Sequence, residues 1–190
     1  MKSYISKLGI IALVGIVTLQ GCKKGENDPL ISLKSRDARI TGTWELTSQE
    51  TTETEKQEFD GESRTETYIY SYDGNMFTST GTITINGQTI ESESSTYEYS
   101  EEMTIEKDGT FTLSMVNDGD KEEYTGNWWW LSDKKNKTRI ALGDDYESFE
   151  IDQLKNKELI LTSETSYKNV DEDGYSYEER STTTMTFTKK

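Results

Sequence analysis

From Ile40 onward, apolar residues recur at every second position. Trp44 and Leu46 share one face of a predicted strand; Tyr68, Tyr70 and Tyr72 share another, and Ile83 and Ile85 a third. Phe111, Leu113 and Met115 alternate with Thr112, Ser114 and Val116, and Trp128 and Trp130 alternate with Trp129. The same spacing joins Ile140 to Leu142, Phe149 to Ile151, Leu159 to Leu161 and Met185 to Phe187. Thr, Ser and Glu fill most intervening positions, the pattern of antiparallel strands with one buried and one wet face. Asp60-Gly61, Asp73-Gly74, Asn86-Gly87, Asp108-Gly109, Asp118-Gly119 and Asp173-Gly174 punctuate these runs with hairpin-type dipeptides. Lys134–Lys137 and Lys155-Asn156-Lys157 read as further turns. The fold class is therefore all-β: an antiparallel meander of about eight strands, which most easily hides its edges by closing into a barrel.

The N-terminus breaks this period. Lys2 and Lys7 precede an apolar run from Leu8 to Leu19, and no Asp or Glu occurs before Glu26. As a helix, that run reaches only about 18 Å, short of a hydrocarbon core roughly 30 Å thick. It has the order of an export signal rather than of a membrane span. Leu19, Gln20, Gly21 and Cys22 follow directly, and this stretch resembles a bacterial lipoprotein lipobox. The resemblance implies cleavage before Cys22 and acylation of its thiol. Residues 1–21 are then signal peptide, 22–37 a tether containing a short helix that Asp28-Pro29 would cap through Leu33, and 38–190 the folded domain. Three acyl chains on Cys22 would hold that domain on the bilayer without a transmembrane helix, since two signals already suffice. The expected location is the cell envelope, at the outer membrane of a gram-negative bacterium.

Composition narrows the chemistry. Excising the signal removes two lysines and no acids, leaving 19 basic and 36 acidic residues, a net charge of −17. Such a surface repels nucleic acid and anionic headgroups. The chain has no histidine and one cysteine, which the lipobox claims. Ser-His-Asp and Cys-His nucleophiles, His-ligated metal and thiolate metal sites are all lost. Asp171–Gly174, Asn117–Asp120 and Gly143-Asp144-Asp145 read as solvated turns rather than calcium loops. No enzyme activity, metal or cofactor is expected.

Gly42-Thr43-Trp44, after the basic segment Lys34–Arg39, resembles the Gly-x-Trp start of lipocalins and of small lipocalin-like lipoproteins of gram-negative bacteria. Lys107–Phe111, Gly126-Asn127-Trp128, and Phe149–Leu154 followed by Lys157–Leu161 are similar to further stretches of that family, so the likeness spans roughly 38–190. It implies a lipocalin-like barrel, and the expected partner is a small hydrophobic or saccharide ligand, or an envelope protein. Residues 50–100 exceed a minimal barrel and are expected to extend hairpins beyond its rim. Trp44, Trp128, Trp129 and Trp130 are the candidate aromatic lining of a pocket. The competing reading has the tryptophans filling the interior, as side chains do in small barrels, which leaves an interaction lipoprotein with no cavity. Tyr68, Tyr70, Tyr72, Tyr97 and Tyr99 form tyrosine ladders suited to cross-strand packing or to carbohydrate and protein contact.

Overall fold

A computed structural model describes residues 34–131, 137–143, 147–172 and 174–190. Leu19–Cys22, the expected helix through Leu33 and the Asp144-Asp145 turn lie outside these residues. A short helix, α1 (Arg36–Ile40), leads into ten strands: β1 (Gly42–Phe59), β2 (Glu62–Tyr72), β3 (Met76–Ile85), β4 (Gln88–Ile105), β5 (Thr110–Asn117), β6 (Asp120–Trp130), β7 (Arg139–Leu142), β8 (Glu147–Leu154), β9 (Glu158–Val170) and β10 (Ser176–Lys189). All neighbours are antiparallel, and β1 pairs with β10 from Trp44↔Lys189 to Glu58↔Ser176, closing the meander into a ring.

The count of ten rather than eight has a local cause. At its start, β1 pairs with β4, from Gly42↔Ile105 to Glu45↔Glu102. From Gln49 onward the same edge of β1 pairs with β2 instead. The ring can thus be traced through eight strands near its base, and the β2–β3 hairpin wedges in above. The extra length of residues 50–100 widens the wall itself, where the sequence suggested hairpins beyond the rim. A β-bulge in β1 between Leu46 and Ser48 marks the changeover. Thr47 is the additional residue, and its hydroxyl donates to the Thr186 carbonyl at 3.0 Å. Bulges bend a strand and sharpen its twist, and here the bend makes room for the hairpin.

The two-residue turns follow the dipeptide signals. Asp60-Gly61, Asn86-Gly87 and Asp118-Gly119 have φ of 49° and 81°, 50° and 79°, and 49° and 90°. Both central residues of a type I′ turn need positive φ, which Asn or Asp tolerates and Gly adopts without a steric penalty.

The wall is uneven in height. Strand β7 has only four residues, and the β8–β9 ladder rises no further than Glu150↔Thr162. The upper parts of β6 and β9 therefore carry no ladder on that side among the described residues, while β1–β4 and β9–β10 stand tall.

The core fills the base. Ile40, Trp44, Leu46, Met103, Ile105, Ile140, Leu154, Leu159, Leu161 and Phe187 are all essentially fully buried. Helix α1 seals this end, with Ser35 as its N-cap accepting from the Ala38 amide at 3.2 Å. Arg39 donates to the Leu154 carbonyl. The Lys189 ammonium donates to the carbonyls of Arg39 and Thr41, serving the orphan acceptors of the helix end. Among the described residues, the core and the strand ladders lie between Arg36 and Lys190, so this span carries the closed sheet and hydrophobic centre that an independently folding unit needs.

Outside, the ring is polar. Outward positions of β1 are Glu50, Thr52, Thr54, Lys56 and Glu58. Thr78–Thr96, Thr80–Ser94 and Thr112–Thr125 form cross-strand hydroxyl pairs at 3.2 to 3.4 Å. Among the described residues no helix is long and apolar enough to cross a membrane.

Candidate functional site

Above the packed base the ring encloses a cavity of about 920 Å³ to which all ten strands contribute. Its floor is apolar, with Met103, Phe111, Phe149, Leu161 and Phe187. One wall is aromatic. Tyr70, Phe77, Tyr97 and Tyr99 come from β2, β3 and β4, where the register sets Tyr72 opposite Phe77 and Phe77 opposite Tyr97. Phe77 stacks on Tyr97 at 5.2 Å between centroids and leans on Tyr99 at 5.5 Å. Tyr72, buried behind them, meets Tyr99 edge to face at 5.6 Å and 86°. Such contacts add about 0.5–1.5 kcal/mol each beyond area burial, so this wall is held in shape before any ligand arrives. The facing wall is hydroxylic, with Thr51, Ser148, Ser163, Thr165, Ser181 and Thr183. Thr51 and Thr183 share a hydrogen bond at 3.1 Å.

Two carboxylates enter this space, Glu53 from β1 and Glu101 from β4. The Tyr99 hydroxyl donates to Glu101 Oε2 at 2.6 Å. Burial pushes the Glu101 carboxyl above its ordinary range, and the Tyr99 bond only partly offsets it. Tyr99 is raised in turn, first by burial and then by the charge of Glu101. Burial raises Tyr70 as well, with the charge of Glu53 next and a hydrogen bond to it third. The other titratable groups lining the cavity are Glu53, Tyr70, Tyr97, Tyr99 and Tyr124; among the described residues no Lys or Arg lines it.

The sign of the pH effect follows. Between the ordinary carboxyl value and its raised folded value, folded Glu101 keeps a proton that the unfolded chain has released. Stability therefore falls as pH rises through that window, and at neutral pH the ionised group is a net cost. Glu101→Gln is expected to unfold at a higher temperature than the parent at pH 7, the gain shrinking as pH is lowered below the ordinary carboxyl range. Thermal unfolding at pH 7 and pH 4 checks this; equal midpoints at pH 7 would contradict it.

None of the four tryptophans lines the cavity. Trp44 is fully buried in the base and donates from Nε1 to the Ile40 carbonyl at 2.6 Å. Trp128 joins the core and donates to the Glu106 carbonyl at 2.8 Å. Trp130 packs edge to face on Trp128 at 5.7 Å and donates to Asp37 Oδ1 at 2.8 Å, tying β6 to α1. Trp129, alternating with both, is half-buried. They sit low because β6 runs down toward the base and Trp128–Trp130 are its last three residues. The aromatic lining comes instead from Tyr70, Tyr97 and Tyr99 of the tyrosine ladders, with Phe77. Glu53 and Glu101 were not singled out in the sequence, although a Tyr and a Glu two residues apart share a strand face. That spacing recurs in Glu66/Tyr68, Tyr99/Glu101 and Tyr177/Glu179, each pair joined by a hydroxyl-to-carboxylate bond of 2.6 to 3.1 Å.

Two of the acidic turns spend a carboxylate oxygen on a backbone amide. Asp118 Oδ1 accepts from the Glu98 amide at 3.1 Å and Asp171 Oδ1 from the Tyr175 amide at 2.8 Å. Among the described residues, no three or more metal-ligating side chains are grouped to hold an ion.

No family model matches this chain, and no curated protein does. Among solved structures, it is similar to a porin-like protein from Bacteroides uniformis at 16% identity and a TM-score of 0.22, over 66% of this chain and 60% of that one. It is also similar to a redesigned β-barrel, mFAP1, bound to DFHBI, at 13% identity and a TM-score of 0.17, over 82% of this chain and all of that one. EF1p2_mFAP2b bound to DFHBI matches at 12% identity and a TM-score of 0.18, over the same shares. The likeness is that of a β-barrel-like antiparallel sheet and identifies no family.

Proposed function

We propose that this chain is a non-catalytic, lipid-anchored envelope protein with a lipocalin-like barrel, and that the barrel binds a small molecule in its lumen. The cavity carries the reading: about 920 Å³ within a closed ring, the size and concavity of small-molecule sites. A preordered aromatic wall, an apolar floor and a few placed polar groups are the usual parts of such a site. The chain enters the described structure at Lys34, beside the sealed base.

Titration of residues 34–190 with the neutral solvatochromic dye Nile red tests this. Saturable binding with blue-shifted emission is expected. Ser163 and Thr183 are cross-strand partners on the hydroxyl wall. The double variant Ser163→Phe/Thr183→Phe sets two rings across the lumen and is expected to weaken binding at least about tenfold, or 1.4 kcal/mol, with the unfolding midpoint retained. Dye affinity that ignores the double variant would place the dye elsewhere and sink the lumen reading.

An interaction role has its own support. Phe59, Ile85 and Ile90 lie near the hairpin tips and are exposed, as is Val170 at the end of β9. These residues would serve contact with an envelope protein at the rim.

A further inference from the structure

Taking the small-molecule reading as its premise, we propose that the ligand of this cavity is an organic cation: an amine or quaternary ammonium carried on an apolar body. Three observations on different parts of the molecule converge on that chemistry.

The first is an uncompensated charge. Glu53 and Glu101 project into the lumen of the ring, and among the described residues no Lys or Arg lines it. Buried carboxylates are normally paired with a cation or bound to a metal, because desolvating an ion is costly. Among the described residues the hydrogen-bond partner of Glu101 is the Tyr99 hydroxyl alone, and Glu101 takes part in no salt bridge. A neutral donor satisfies one lone pair and leaves the charge. A cationic ligand would supply what the fold omits.

The second is the kind of surface beside those carboxylates. Tyr70, Phe77, Tyr97 and Tyr99 form a packed aromatic wall adjoining Glu101 along β4. Aromatic faces attract ammonium groups through the ring quadrupole, most strongly when the cation is desolvated, and aromatic cages are the common way of holding quaternary ammonium. The apolar floor would receive the body of the ligand.

The third is the approach. Two residue pairs above Glu53 and Ser181, Glu55 of β1 lies directly between Glu179 of β10 and Glu66 of β2. By strand alternation all three share the inward face with Glu53, Ser181 and Tyr70. Like charges opposite one another weaken a sheet, yet three adjoin here. The charged neighbour that offsets part of this row is Arg64, on Glu66 at 2.8 Å. An acidic row on the inward face above the cavity draws cations toward it and repels anions.

The test compares three fluorescent probes on residues 34–190 at physiological ionic strength, where exposed charges are largely screened: cationic rhodamine 6G, neutral Nile red and anionic fluorescein. Rhodamine 6G is expected to bind and fluorescein not to. Glu53→Gln/Glu101→Gln should weaken rhodamine 6G at least about tenfold while Nile red affinity stays within about twofold. The outward Glu50→Gln should change neither, which separates the lumen from general surface attraction. Circular dichroism of the double variant, with Glu53→Gln and Glu101→Gln measured singly, shows whether a loss reflects binding or folding. If Nile red binds in the lumen but rhodamine 6G ignores the glutamine variants, or fluorescein binds as well, the cation assignment is overturned and the cavity reading stands. If no probe responds to Ser163→Phe/Thr183→Phe, the cavity reading itself falls.

Discussion

Replacing Trp44 with alanine is expected to remove about 3–5 kcal/mol of stability, the usual cost of deleting a large buried aromatic side chain. A domain of this size has only about 5–15 kcal/mol in total. Trp44 is fully buried, and three structures meet on it. Its indole N–H satisfies the Ile40 carbonyl at the end of α1. Its ring lies beneath the Lys189 ammonium at 4.8 Å. Its backbone stands at the point where β1 pairs with both β4 and β10. Truncation would open a cavity in the base, orphan a helix carbonyl and remove the cation–π partner of a lysine whose charge is already disfavoured by burial. At about 2–4 °C per kcal/mol for chains of this length, the melting temperature should fall by roughly 6–20 °C. Trp44→Phe should recover most of the loss, since it keeps the ring and sacrifices the N–H. Thermal unfolding followed by circular dichroism measures both. A shift for Trp44→Ala no larger than that for the half-buried Trp130→Ala would mean that Trp44 does not anchor the base.

The second large effect concerns location. Cys22→Ser is expected to abolish lipid attachment altogether, because a hydroxyl cannot replace the thiolate as acceptor of the acyl-bearing group. In cells supplied with labelled palmitate, the parent chain should incorporate label and migrate as the processed form. The variant should take up none and stay at precursor size, 21 residues longer. The expected change is all-or-none, since at least two hydrophobic signals are needed for stable anchoring. Palmitate labelling that survives the substitution would end the lipobox reading.

Much of the architecture was legible before any coordinates. The period-2 alternation gave the all-β class, because a sheet with one wet face forces that spacing on every strand. The Asp-Gly and Asn-Gly dipeptides placed three two-residue turns, because few other residues tolerate the positive φ that such turns require. The strand number was less legible. Residues 50–100 alternate like the rest, and nothing local distinguishes a hairpin rising above a rim from one inserted into the wall. The distinction rests on β1 changing partners at the Thr47 bulge, which is a matter of register between distant strands. Tryptophan was misleading for a related reason. Three in a row stand out in a sequence, but their height in the ring depends on where β6 ends, and it ends at the base.

The sequence by itself determined the kind of surface each strand presents, the turns between strands, and the histidine-free and acidic chemistry. These are properties of neighbouring residues, so no long-range contact was needed to read them. Only the tertiary structure decided that Glu53, Glu101, Tyr70, Phe77, Tyr97 and Tyr99 look into one space. It also decided that Glu55, Glu66 and Glu179 form one row and that the tryptophans lie beneath them. Residues as far apart as 53 and 181 become neighbours only when β1 closes on β10, and that pairing makes a cavity of what is otherwise a list of alternating side chains.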